Sequence, residues 1–296
     1  MPASAGHKPK APFRCRLCGS SDLHLYYTLG AREQFHYYKC GSCRLVNYDI
    51  SGGLDQTQYT EMVDPRDAAA RRNRDKNETW RFIERHLPTP GSFLDIGCGP
   101  GRLLYLAKSA GWSVRGLELS AEMAEFASSR IDAEILVADF LDYEPYDEAR
   151  FDMVSLRHVL EHLRDPVLAM TKINRLARMG GHAILEFPNI EAADKRFKRM
   201  LVNLGLHRRK FREDFVAGHC NEFCRASFEH LLTKTGFGLV RWETYSHKRI
   251  PNFIYNRIHI GNKARALIRK EAEVAEALIE PPKAEVSPFA PSSGAV

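Results

Sequence analysis

No apolar run in the sequence approaches the roughly 18 residues that a membrane-spanning helix requires. The opening residues, MPASAGHKPKAPF, contain no apolar h-region of the kind that directs secretion. Both absences predict a cytoplasmic protein. Cysteine is scarce and odd in number, seven residues in 296, which without a secretory leader argues against a disulfide framework. No lysine closes a glycine-rich loop, as a phosphate-binding loop requires. There is no aromatic-interleaved basic motif for RNA and no Asn-Pro-Pro-Tyr-type base pocket; residues 186–189 read EFPN. No internal repeat is present, which excludes a solenoid.

What is present is an ordinary globular composition, 44% apolar and 27% charged, on a chain long enough for one α/β core and a smaller module. Residues 1–12 and roughly 281–296 are rich in Pro, Ala and Ser and read as disordered tails. Residues 13–50 hold a cysteine module. A helix follows, marked by Trp80, Ile83 and Leu87 and stopped by Pro88 and Pro90. From Ser92 strand-like segments (93–96, 113–117, 134–137, 151–156, 182–186) alternate with helical ones (102–110, 120–129, 158–178). Alternation of this kind predicts an α/β domain over residues 60–260: a Rossmann-like, doubly wound parallel sheet with helices on both faces. Two last strands are expected at 237–245 and 250–256, then a C-terminal helix within 261–280.

The segment FLDIGCGPGRLL places Gly97, Gly99 and Gly101 directly after a strand that ends in Asp95 and Ile96. Glycines there remove the Cβ atoms that would keep a ligand from the backbone. The second strand ends in Glu118, whose carboxylate can take both hydroxyls of a ribose, and the third ends at Asp139 and Phe140. Asp139 can accept the exocyclic amine of adenine while Leu119 or Phe140 covers its ring. Each acid alone can equally be a helix cap, and a dehydrogenase would share both the glycines and the first acid.

In this order, DIGCGPG, the acid after the second strand and AD after the third resemble the class I S-adenosylmethionine-dependent methyltransferases. So do FDMVSLRHVLEHLRDP, GGHAILEFPN and SFEHLLTKTGF further on, and the resemblance covers about residues 80–245. It implies that Asp95, Gly97 and Gly99 contact the methionine portion of S-adenosylmethionine, with Cys98 and Gly101 in the same loop. It further implies that Glu118 takes the ribose, and that Asp139 with Phe140 takes the adenine. Cys98 occupies a variable position and is expected to be a small packing residue. This cofactor carries no phosphate, in keeping with the missing lysine.

Cys15-x2-Cys18 and Cys40-x2-Cys43, separated by 21 residues, supply four soft ligands in two turns, the pattern of a closed structural Zn2+ site. A closed site leaves no open position for catalysis. The module resembles the N-terminal zinc ribbon of some small-molecule and glycan-modifying methyltransferases and of certain ribosomal RNA methyltransferases.

Methyl transfer to oxygen requires a positioned acceptor and a base. His158, Glu161 and His162 are expected on one helix, with His158 and His162 on a shared face. Some quinone-precursor methyltransferases with Leu-Glu-His here bind a divalent metal through acids and this histidine. His158 stands where one acid would be, so a hydrogen-bonded helix start is expected instead. The segment AGHCNEFCRASFEHLL resembles the Gly-His-x-x-x-Phe segment of the glycan- and lipid-modifying branch, which implies that His219 faces the acceptor as the general base, with His158 the next candidate.

The net charge of +6 conceals two stretches free of acid, Lys195–Arg212 with eight Lys/Arg and Lys248–Lys270 with seven. The first forms a basic cap at about 190–218 in which Phe197, Met200, Leu201 and Leu204 recur at helical spacing. That apolar face either packs on the domain or rests on an anionic membrane while its cations meet phosphate. The expected function is O-methylation of a small-molecule, sugar or lipid-linked acceptor. An RNA base methyltransferase and a non-catalytic zinc-ribbon adaptor are the alternatives.

Overall fold

The computed structural model describes residues 13–54, 66, 73–87, 89–143, 150–207, 210–246 and 252–274. The expected tails at 1–12 and 281–296 lie outside these residues.

Seven strands form the main sheet: β4 (Ser92–Ile96), β5 (Ser113–Glu118), β6 (Glu134–Val137), β7 (Phe151–Arg157), β8 (Ala177–Pro188), β10 (Phe237–Tyr245) and β11 (Lys263–Lys270). Their order is β10-β11-β8-β7-β4-β5-β6, and β11 alone runs opposite to the other six. Consecutive residues of the central strands point to opposite faces. Leu94, Val154, Leu185 and Ala266 enter one core with α4 (Pro166–Leu176) and α6 (Arg225–Lys234). Phe93, Met153, Ile184 and Leu267 enter a second with α1 (Asn73–His86), α2 (Arg102–Ser109) and α3 (Ala121–Ile131). Both faces are therefore covered, as near-continuous apolar strands require. The strand order reverses between β4 and β7, which fixes the ligand crevice at their carboxyl ends.

The cysteine module forms β1 (Leu23–Leu29), β2 (Phe35–Cys40) and β3 (Val46–Tyr48). It is not a separate bead. Its sheet is completed by β9 (Asn221–Glu222), a piece of the main domain paired antiparallel to β3. Lys234 Nζ of α6 also donates to the Leu17 carbonyl at 2.9 Å.

Three sequence expectations require correction. The helix at 158–178 is broken: a 3-10 turn at Leu160–His162 precedes α4. Asp165 accepts from Val167 N and Leu168 N at 3.0 and 2.9 Å, and Pro166 opens the new helix, a stop and restart encoded by Asp-Pro. Residues 252–258 are α7 (Asn252–Ile258), not a strand, and 263–270 are β11, not a helix. KARALIRK has the look of an amphipathic helix because of its charges. Two of its four charges are internal: Arg265 pairs with Glu186, and Lys270 Nζ donates to the carbonyls of Asn174 (2.8 Å) and Ala177 (3.1 Å). The second basic stretch is thus partly consumed inside the fold.

The first basic stretch behaves differently. α5 (Ala193–Asn203) has no buried residue, and Phe197 and Leu204 are 57% and 62% exposed. Of its apolar face Met200 is exposed as well, whereas Leu201 is half-buried. No helix among them is long and apolar enough to cross a membrane.

Candidate active site

The candidate cofactor side lies at the end of β4. Gly97 and Gly99 have φ of 68° and 54°, a region that favours glycine. A Cβ on Gly97 would lie 2.5 Å from Val159 Cγ2, whereas one on Gly99 would meet nothing within 4 Å. The loop therefore presents an open cradle at Gly99 and is pressed at Gly97 by the segment after β7. Glu118 closes it: Gly99 N donates to Glu118 Oε2 at 2.7 Å, and Leu119 N and Ser120 N donate to Oε1 at 3.0 and 3.1 Å. A carboxylate has about four lone-pair positions, so ribose hydroxyls can add to these bonds. Asp95 is buried and accepts from Ser155 Oγ, its register partner on β7.

The remaining loop residues divide in two. Asp139 accepts from Leu141 N at 2.8 Å and Leu119 is exposed at the mouth. Phe140 is buried in the first core, and Leu119 is the more exposed of the two side chains expected to cover a ring. Cys98 turns its thiol into the second core beside Gly116, and its N–H is taken by Leu117. A Cβ on Gly101 would collide with Ile131, so this glycine serves the packing of α2 on α3.

The candidate acceptor side gathers residues from the segment after β7, from β9 and from the ribbon. His158 is not on a helix; it has φ 56°, and its N–H donates to the Glu186 carbonyl at 2.7 Å. His158 Nδ1 lies 3.3 Å from Glu161 Oε1, and His162 Nε2 lies 3.9 Å from the same oxygen. His162 Nδ1 donates to the Gly218 carbonyl at 2.7 Å, which leaves Nε2 unprotonated in the neutral ring. Burial pushes His162 down. Burial also acts to raise Glu161, but its contacts with His158, His162 and His219 outweigh that and keep it below the usual carboxylate range. The ring centroids of His162 and His219 are 4.9 Å apart, and ligand atoms of Glu161, His162 and His219 lie within 4.8 Å of one another. These three have donor types that can hold a divalent ion.

His219 is backed by an acid that the sequence reading missed. His219 Nδ1 lies 3.6 Å from Glu222 Oε1, Lys195 Nζ lies 3.6 Å from the same oxygen, and Tyr27 donates its hydroxyl to Oε2. Burial would raise Glu222, but Lys195, His219 and Tyr27 hold it at about 2. The only sequence signal for it was the His-x-x-Glu spacing. The ribbon fixes this segment further: Tyr37 donates to the His219 carbonyl at 3.1 Å, and Arg16 Nη1 to that of Cys220 at 3.1 Å. Cys220 and Cys224 do not share a ligand. Cys220 donates to the His162 carbonyl, and Cys224 caps α6 with Ser227.

In the ribbon the sulfurs of Cys15 and Cys43 are 3.4 Å apart and those of Cys18 and Cys40 3.5 Å, and all four lie within 4.8 Å of one another. A disulfide would bring two of them to about 2.05 Å, whereas a shared tetrahedral ion spaces sulfurs about 3.8 Å apart. Both turns close alike, Gly19 N on the Cys15 carbonyl and Arg44 N on that of Cys40, and residues 19 and 44 have positive φ. This donor set fits zinc.

A methyltransferase domain family model matches residues 58–241, more than half of the chain, and the chain belongs to that family. With its sheet order and glycine loop, it is a class I S-adenosylmethionine-dependent methyltransferase. The chain is 35% identical over 92 residues to a malonyl-[acyl-carrier protein] O-methyltransferase of Pseudescherichia vulneris, a match to 31% of this chain and 37% of that one. It is 30% identical over 109 residues to a ubiquinone biosynthesis O-methyltransferase of Thiobacillus denitrificans, covering 34% of this chain and 46% of that one. The chain thus spans less than half the length of these curated relatives. A crystal structure of a Pyrococcus horikoshii protein aligns with TM-score 0.53 at 17% identity, over 74% of this chain and all of that one. The magnesium protoporphyrin IX methyltransferase of Synechocystis, solved with bound SAH, aligns with TM-score 0.50 at 16% identity, over 71% of this chain and 90% of that one. At these identities the structures speak for the fold alone.

Proposed function

We propose that the protein methylates a hydroxyl of a small-molecule acceptor, a sugar hydroxyl or phenol, with His219 as general base. The observation that carries the reading is the buried carboxylate of Glu222 on the Nδ1 side of His219. A carboxylate there favours a proton on Nδ1 and leaves Nε2 to take one from the acceptor. It also stabilises the imidazolium that forms, and Lys195 and Tyr27 keep the carboxylate charged. An oxygen acceptor needs such a base because its proton must leave as the new bond forms. S-adenosylmethionine, when bound, supplies a methyl group on a positively charged sulfur. Asp95 and the Gly97–Gly99 backbone hold its methionine portion, Glu118 its ribose, and Asp139 with Phe140 or Leu119 its adenine. Val159, pressed against Gly97, joins the two sides of the crevice.

The curated relatives act on small or carrier-borne acceptors by their names, which favours that class here. The RNA reading rested on charge, and the inward pairing of Arg265 and Lys270 weakens it. The intact Asp95, Gly97, Gly99, Glu118 and Asp139 set disfavours a non-catalytic adaptor. We further assign a structural zinc to Cys15, Cys18, Cys40 and Cys43. Incubation with methyl-labelled S-adenosylmethionine and fractionated cell extract tests the acceptor class. Label in small or lipid-linked molecules is expected; label confined to RNA would reject the proposal.

A further inference from the structure

Between the ribbon and the cap helix lies a cavity of about 190 Å³ lined by Tyr26, Lys39, Arg44, Glu191, Arg196 and Arg199. Four of these side chains are cationic and one is an acid, which is paired with Arg44. The Arg199 guanidinium lies 4.1 Å from the centre of the Tyr26 ring, and Lys39 Nζ lies 5.2 Å from it on the ribbon side. Stacking fixes a guanidinium while leaving its N–H edge free to donate. Among the described residues no carboxylate within ion-pair distance is found for Lys39, Arg196 or Arg199, so three cations converge on one cavity without compensation. Bound polyanion would relieve their mutual repulsion.

The cavity adjoins the acceptor centre on both of its walls. On the ribbon, Tyr26 is followed by Tyr27, whose hydroxyl meets Glu222; the two rings are 5.7 Å apart. On the cap helix, Arg196 is preceded by Lys195, which also faces Glu222. Away from that centre, Arg196 and Arg199 border a second, larger groove of about 610 Å³, lined chiefly by Phe197, Met200, Leu204 and Ile260. One helix face thus carries a cationic pocket next to an exposed apolar groove.

From this arrangement we infer that the acceptor is a lipid-linked phosphate: its phosphate or diphosphate binds Lys39, Arg196 and Arg199, and its hydrocarbon lies along Phe197, Met200 and Leu204. The hydroxyl-bearing part then lies toward His219. The inference rests on the acceptor side assigned above. It names the chemistry of the acceptor and requires no additional catalytic step.

Calorimetry with three probes tests it: geranyl diphosphate below its micellar concentration, inorganic diphosphate, and geraniol. The wild type should bind geranyl diphosphate at least tenfold more tightly than inorganic diphosphate, and geraniol not measurably. The double variant Arg196→Gln/Arg199→Gln should lose at least tenfold in affinity for both diphosphates. Phe197→Ser/Leu204→Ser should bring geranyl diphosphate to the level of inorganic diphosphate and leave the latter unchanged. Both variants should bind S-adenosylmethionine as the wild type does, which certifies their folding. Equal binding of the two diphosphates by the wild type would overturn the hydrocarbon half and indicate a soluble phosphorylated acceptor. Binding of neither, or binding indifferent to Arg196 and Arg199, would overturn the proposal. Tight binding of a single-stranded RNA oligonucleotide that displaces geranyl diphosphate would reassign the surface to nucleic acid. Methyl label found in a neutral small molecule would leave the His219 reading standing while this inference failed.

Discussion

Glu118 has two roles on the proposed reading, since the carboxylate assigned to the ribose also ties Gly99 N to the start of α3. Replacing it with Ala removes hydrogen bonds to a charged group, each of about 1.5–3 kcal/mol. Glu118→Ala should therefore weaken S-adenosylmethionine binding by roughly 1.5–3 kcal/mol or more; unchanged affinity by calorimetry would remove the ribose assignment. Glu222 supplies a pH dependence. Its carboxyl is held at about 2, below the ordinary 4.5. Stability from that depression is present above the ordinary value and is lost as pH falls toward 2. Glu222→Gln should cost up to about 3 kcal/mol at pH 7, by the usual conversion of such a shift, and the gap to wild type should narrow by pH 3. Melting curves at the two pH values that differ by a constant offset would show that Glu222 is not charged in the fold.

At the scale of elements, the ribbon earns attention for where it is attached. β3 pairs with β9, and Tyr37 and Arg16 hold the carbonyls of His219 and Cys220. Metal binding and folding are coupled in so small a module. Cys15→Ser, or chelation of the metal, should lower methyl transfer while S-adenosylmethionine affinity stays near wild type, because the glycine loop lies elsewhere. Elemental analysis that finds no zinc in protein grown with zinc available would contradict the assignment. The cysteine spacing made the ribbon legible in the sequence, but not its docking, because β9 is two residues long and carries no periodic signal. The apolar strands β4, β5 and β7 were legible for the opposite reason. β11 was not: its buried Arg265 and Lys270 look like solvent-facing charges until Glu186 and the α4 carbonyls are placed beside them.

On the scale of the molecule, the crevice lies where two halves of the sheet part. A buried ion network ties together the β7-β8-β11 side of that crevice. Glu186 on β8 bonds Arg157 Nε of β7 at 2.8 Å and Thr79 Oγ1 of α1 at 2.7 Å, and it pairs with Arg265 of β11. Burial acts to raise the Glu186 carboxyl, but the two guanidiniums outweigh it and hold the group well below the usual carboxylate range. Such a network, once satisfied, fixes geometry more than it adds stability. On the proposed reading this frame holds two faces, a cofactor face at the glycine loop and an acceptor face at His219. The proposal requires that His219 act in transfer without holding the cofactor. It is tested by comparing His219→Gln with wild type in two assays, calorimetry with S-adenosylmethionine and transfer of labelled methyl to cell extract. Cofactor affinity should be unchanged while transfer falls roughly 10²–10⁴-fold, the loss expected on removing a general base. Transfer equal to wild type would contradict the account.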